Sequence, residues 1–155
     1  MQQRIRVAAI VVHREALLLA RHELPRQGKT WWTPPGGRLD GTESILECAE
    51  REVHEETGLT VIADRVIYLQ QFVDPAFDAH NLVLFVLASL PIGRPEPGHL
   101  HVPKTEKHIR EARFVPRSET PTLPIHPDVF RHEFWEELDR NFPIARFLGV
   151  QWPAV

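Results

Sequence analysis

The chain has a single cysteine, little net charge and no long unbroken apolar run. One thiol, Cys48, cannot close an internal disulfide, and its solitude points to a reducing compartment. A formal charge of −3 over 155 residues gives no electrostatic reason to expect DNA binding, and the nine histidines are dispersed and mostly neutral near pH 7. The most apolar stretch, MQQRIRVAAIVVHREALLLA, is interrupted by Arg4, Arg6, His13, Arg14 and Glu15. It is therefore neither a spanning helix nor the continuous core of a signal peptide. No repeat is present, and no linker sets off a second unit. What is present is globular in character, 43% hydrophobic and 25% charged, in a chain long enough to bury a core. The expectation is one cytoplasmic domain over residues 1–155, without a membrane partner and with room for a homodimer.

Residues 4–12, RIRVAAIVV, read as a strand, with ALLLA (16–20) as its hairpin partner. The Pro- and Gly-dense ELPRQGKTWWTPPGG (23–37) reads as a loop with at most a short strand at Trp31–Thr33. Ser44 followed by Glu47 matches a capping box, and Gly58 is placed to end the helix so begun. One or two strands are expected between Leu59 and Val73, a buried strand over 80–90, a long loop over 91–105 and a short strand over 110–116. Pro127 opens a predicted amphipathic helix over 126–142, with Phe130, Phe134 and Leu138 one turn apart. Strands flanked by two helices make an α/β/α sandwich with a mixed sheet the expected fold.

The segment REVHEETG (51–58) concentrates carboxylates. At 100° per residue, Glu52 and Glu56 continue the stripe of Ile45 and Ala49, with Cys48 and Glu55 beside it. Glu47, Glu50 and His54 point the other way, as a solvated face would. Carboxylates that share a stripe with apolar residues are unfavourable unless protonated or paired with a cation. One arginine cannot neutralise three of them. A hard divalent cation can, and oxygen-only ligands suit Mg²⁺ or Mn²⁺ rather than zinc. By geometry alone, an ordinary acidic helix face remains the alternative.

From Gly37 the chain reads GRLDGTESILECAEREVHEETGL. Gly37, Glu43, Arg51, Glu52, Glu55, Glu56 and Gly58, with Val53 and Leu59 at aliphatic sites, resemble the Nudix box at every fixed position. The resemblance implies hydrolysis of a nucleoside diphosphate linked to another moiety, with water attacking a phosphorus and a divalent cation offsetting the charge. It further implies that Glu52 and Glu56 are the principal Mg²⁺ or Mn²⁺ ligands and that Glu55 is a ligand or the base. Gly37 would offer a backbone carbonyl to the metal, and Glu43 and Arg51 would form a structural ion pair. An i,i+4 pair of Arg51 with Glu55 is the plainer alternative.

Outside this segment, Glu106 and Glu111 are candidates for an extra catalytic carboxylate, the latter preferred. Arg21, Trp32 and Pro75 are candidate substrate contacts, Trp31 or Trp32 by stacking on a base. Pro75 stands sixteen residues after Leu59, resembling the proline of ADP-ribose pyrophosphatases, although Ala76 replaces the usual glycine. ADP-ribose or a nucleotide sugar is one expected substrate. A nucleoside triphosphate and a non-catalytic nucleotide-binding module are the alternatives. His99 and His101 read as dispersed surface histidines.

Overall fold

The computed structural model describes residues 1–93, 100–106 and 108–153. The expectations placed on residues 94–99, His99 among them, lie outside the described residues.

Strands β1 (Gln2–His13) and β2 (Ala16–Leu24) form a hairpin that pairs only at its closed end, Val12 with Leu17 and His13 with Ala16. Beyond that the two strands part and join different neighbours. β1 runs parallel to β6 (Ala79–Ser89) along most of its length and antiparallel to the short β4 (Gly36–Arg38). β2 is flanked by β3 (Lys29–Thr33) and β7 (Ile109–Pro116), both antiparallel. β5 (Ile62–Asp74) pairs antiparallel with β6 and parallel with β8 (Arg146–Gln151) at the edge. The sheet is thus mixed, in the order β3-β2-β1-β6-β5-β8.

Strand alternation divides the core in two. Val7, Ala9 and Val11 of β1, with Leu18 and Val86, meet Cys48, Ala49 and Val53 of helix α1 (Ile45–Thr57). Ala8 and Ile10 point to the opposite face, where Tyr68 and Phe85 pack against Phe130, Phe134, Trp135 and Phe142. Phe134 and Trp135 belong to helix α2 (Glu133–Asp139). The outcome is the expected α/β/α sandwich. Among the described residues no helix is long and apolar enough to cross a membrane.

Two expectations need correction, and one strand was not expected. The 23–37 segment contains two strands, β3 and β4, because Trp31 and Trp32 alternate against β2 and the two glycines lie beside β1. The helix expected over 126–142 is broken: a 3₁₀ turn at Asp128–Arg131 ends at His132 (φ −138°, ψ −73°), and only seven residues of α-helix follow. Phe130 and Phe134 are fully buried all the same, so the apolar spacing marks the contacts rather than a continuous helix. β8 has no counterpart in the sequence reading. It follows Pro143 and exposes Phe147 and Val150, so no alternation of buried and polar residues announces it.

Candidate active site

Helix α1 is the scaffold of the site. The Ser44 hydroxyl accepts the Glu47 amide N–H at 3.1 Å to cap its start, and Gly58 ends it in the left-handed region at φ 77°. With its phase set by Cys48, Ala49 and Val53 against the sheet, the helix turns Glu52 and Glu56 toward β4 and the start of β1. There a cleft of about 650 Å³ is lined by Glu52, Glu55, Glu56 and Glu106 together with Arg6 and Arg38.

Arg51 ties the cleft together. Its Nε and Nη2 donate to the two Glu43 carboxylate oxygens at 2.8 and 2.7 Å, a two-pronged pair. Nη2 also donates to the Arg38 carbonyl at 3.1 Å, while Nη1 serves Glu52 at 2.9 Å and Glu55 at 3.1 Å. The Glu43 pair and the i,i+4 pair with Glu55 therefore coexist. Glu43 further accepts the Asp40 amide N–H at 2.9 Å. Hydrogen bonds from Arg51 hold the Glu43 carboxyl down to about 2. Loop and helix are locked at one point.

Glu56 is in the reverse situation. It is 5% exposed and accepts a hydrogen bond from the Gly36 amide, and among the described residues it takes part in no ion pair. Burial first, then the charges of Glu52 and Glu106, pushes its carboxyl up to about 8. Burial likewise raises Glu52, with Arg51 pulling the other way. A Cβ on Gly37 would fall on the Glu52 carboxylate, and one on Gly36 on the Val7 carbonyl oxygen. Gly36 is thus required by space, since its Cβ would strike backbone, whereas Gly37 leaves room for the Glu52 carboxylate where it now lies.

Among the described residues no three His, Cys, Asp or Glu side chains already converge as a metal-binding group. The reason is visible: Glu52 and Glu55 both lean on Arg51. The donor chemistry still fits a hard divalent cation. A buried carboxylate with no ion pair among the described residues, a second one packed on a glycine backbone and a third at the rim form an all-oxygen set.

The structure does not bring Arg21, Trp32, Pro75 or Glu111 to the cleft. Glu111 lies across from Arg21 in the β2–β7 ladder, and Arg21 Nε donates to it at 3.1 Å. Arg113 takes its other oxygen at 3.3 Å. Glu106, in the segment before β7, is the outer carboxylate that lines the cleft. Trp32 is 5% exposed, with the Arg113 guanidinium 5.0 Å from its ring centre, so no base can stack on it. Pro75 starts the 3₁₀ turn linking β5 to β6, where Asp74 caps Ala76. Sequence reasoning missed His22, His108 and Arg6, all of which line the cleft. For His22 the sequence holds no dependable signal: it stands beside Arg21 on a strand, but the β2–β7 ladder shifts register between the two.

The NUDIX domain family profile matches residues 2–134. The chain is 37% identical over 67 residues to the protein called phosphatase NudJ of Escherichia coli K12. That segment is 43% of this chain and 43% of that protein. A NUDIX hydrolase structure from Nitrosomonas europaea superimposes with a TM-score of 0.68 at 18% identity, covering 91% of each chain. A structure from Streptococcus suis 89-1591 titled an ADP-ribose pyrophosphatase gives 0.60 at 18% identity, covering 97% of this chain and 98% of its own.

Proposed function

The chain belongs to the NUDIX family, and from that premise we propose that it hydrolyses the diphosphate linkage of a nucleoside diphosphate joined to another moiety. The observation that carries this reading is Glu56, a buried carboxylate with no ion pair among the described residues, in a cleft also lined by Arg6 and Arg38. A polyanion with bound cations satisfies the acidic and the basic groups together.

Glu52 and Glu56, with Glu55 and the Gly37 carbonyl, would hold Mg²⁺ or Mn²⁺. When bound, the cation offsets the negative charge that repels an incoming nucleophile and that builds on the departing phosphate. Arg6 and Arg38 bind phosphate oxygens. Glu106 takes the proton of the attacking water as its oxygen bonds to phosphorus and the bridging P–O bond breaks. Glu43 and Arg51 keep the loop on the helix and stay outside the chemistry.

ADP-ribose or a nucleotide sugar is the substrate first expected. With Pro75 away from the cleft, a nucleoside triphosphate is the second reading on equal terms, since the walls recognise the diphosphate and not the group beyond it. The deciding experiment is a panel of nucleoside diphosphate sugars, ADP-ribose and nucleoside triphosphates assayed for phosphate or nucleotide release with and without Mg²⁺. Metal-dependent turnover of one class is expected. Tight nucleotide binding without turnover of any member would make the protein a binding module instead.

A further inference from the structure

His22 is held in the cleft by groups that have no part in the chemistry above. Its ring stacks on Trp31 with centroids 5.2 Å apart and planes 8° from parallel. Its Nε2 is 2.8 Å from the Thr33 hydroxyl. Both partners come from β3, and His22 and Trp31 are direct cross-strand neighbours. The ring is therefore fixed in plane and in rotation. Nδ1 has no hydrogen-bond partner among the described residues. The same cleft presents Arg6, His108 and Ile109 around it.

An imidazole oriented on two sides, with one nitrogen that no described residue engages, is an arrangement for gripping something that arrives. We propose that His22 is a substrate-positioning residue that donates its Nδ1–H to a phosphate oxygen of the diphosphate, with Trp31 and Thr33 setting the direction of the bond. This rests on the diphosphate reading above. A phosphate oxygen carries no hydrogen to give, so it is met by the tautomer with hydrogen on Nδ1. In that tautomer Nε2 accepts from the Thr33 hydroxyl, a role the 2.8 Å contact accommodates because the hydroxyl can turn its hydrogen toward the ring. The ring lies on the strand side of the cleft and the carboxylates on the helix side, so the bond anchors phosphate away from the metal ligands.

The two nitrogens can be told apart by substitution. Asn places an amide N–H near Nδ1, whereas Phe keeps the stack on Trp31 and removes both nitrogens. The probe is imidodiphosphate, which resists hydrolysis, titrated calorimetrically with Mg²⁺ into wild type, His22→Phe and His22→Asn. The expected result is binding weakened about tenfold or more in His22→Phe and largely restored in His22→Asn. In turnover the loss should fall mainly on KM, with kcat changed less. In wild type, the ¹⁵N shifts of the His22 ring should move as imidodiphosphate is added, a readout that holds even where a variant fails to fold. Wild-type binding with equal affinity in His22→Phe, or with unmoved His22 shifts, would overturn the positioning role and leave the diphosphate reading standing. No imidodiphosphate binding and no turnover in wild type would overturn both.

Discussion

Arg51 and Glu43 face each other as two matched forks, with both nitrogen–oxygen distances under 3 Å and the Asp40 amide closing the set. The pair spans eight residues and joins the β4–α1 loop to the middle of the helix. Glu43→Gln removes the charge and one of the two strong bonds. It should lower Tm by a few degrees at neutral pH and weaken Mg²⁺ binding modestly, with turnover retained at saturating metal. The sign follows from a folded pKa near 2 against an ordinary 4.5: the stabilisation is present above about 4.5 and lost as pH falls toward 2. Wild type and variant should thus converge in acid. Melting curves across that range decide it, and total loss of activity with unchanged Tm would place Glu43 in the chemistry.

Glu106 and Glu111 should separate cleanly. Glu106→Gln is expected to reduce kcat by at least ~10²-fold, the scale of losing a general base. Glu111→Gln, held between Arg21 and Arg113 away from the cleft, should leave kcat near wild type. Steady-state kinetics on one substrate suffices. The reverse order would mean that the segment before β7 is arranged differently when substrate is bound.

How far all this can be read from the residues differs from element to element. Glu52 and Glu56 are legible because a helix repeats every 3.6 residues and both share a phase with Ile45 and Ala49. Glu106 and Glu111 are not separable in the sequence, because linear position does not say which neighbour a carboxylate meets; the register of Glu111 with Arg21 does. Arg21 and His22 show a similar limit. The β2–β7 ladder shifts register between these two residues, and a bulge re-aims side chains in a way that alternation cannot foresee. β8 was illegible for another reason: an edge strand with exposed apolar residues carries no in–out pattern.

Gly37→Ala tests the close approach of β4 to Glu52. The added methyl would meet the end of a flexible carboxylate, not backbone, so the fold can absorb it by moving Glu52. Tm should change little, while Mn²⁺ affinity, followed by paramagnetic relaxation of water protons, should fall about tenfold or more. A variant that binds Mn²⁺ as wild type does would show that Glu52 is no ligand.

His22 should impose a pH dependence on stability. Burial, with His108 and Arg6 nearby, lowers its folded pKa to about 4 from an ordinary 6.5. Between those values the unfolded chain takes up a proton that the folded one refuses, so stability falls as pH drops from about 6.5 to about 4. His22→Asn, which cannot titrate, should flatten that part of the Tm–pH curve. An unchanged slope would mean the acid sensitivity comes from other groups.

Glu56 carries the opposite sign, and it links stability to function. Its folded carboxyl sits near 8 and its unfolded one near 4.5, so in the metal-free protein the folded state binds more protons across that interval. The group costs nothing below about 4.5 and destabilises progressively as pH rises through 8, where a charge must be kept in a buried place. Glu56→Gln has nearly the same shape and no charge to bury. In EDTA its Tm should match wild type near pH 4.5 and exceed it by ~3 °C or more at pH 8.5. Adding Mg²⁺ should raise the wild-type Tm, because a cation that binds only the folded state stabilises it, and should leave the variant nearly unmoved. The same variant should lose at least ~10²-fold in kcat. Greater stability joined to lost activity and lost metal response is what a ligand carboxylate in a buried place requires. Equal Tm values at alkaline pH in EDTA, or a variant that still gains stability from Mg²⁺, would remove Glu56 from the metal site.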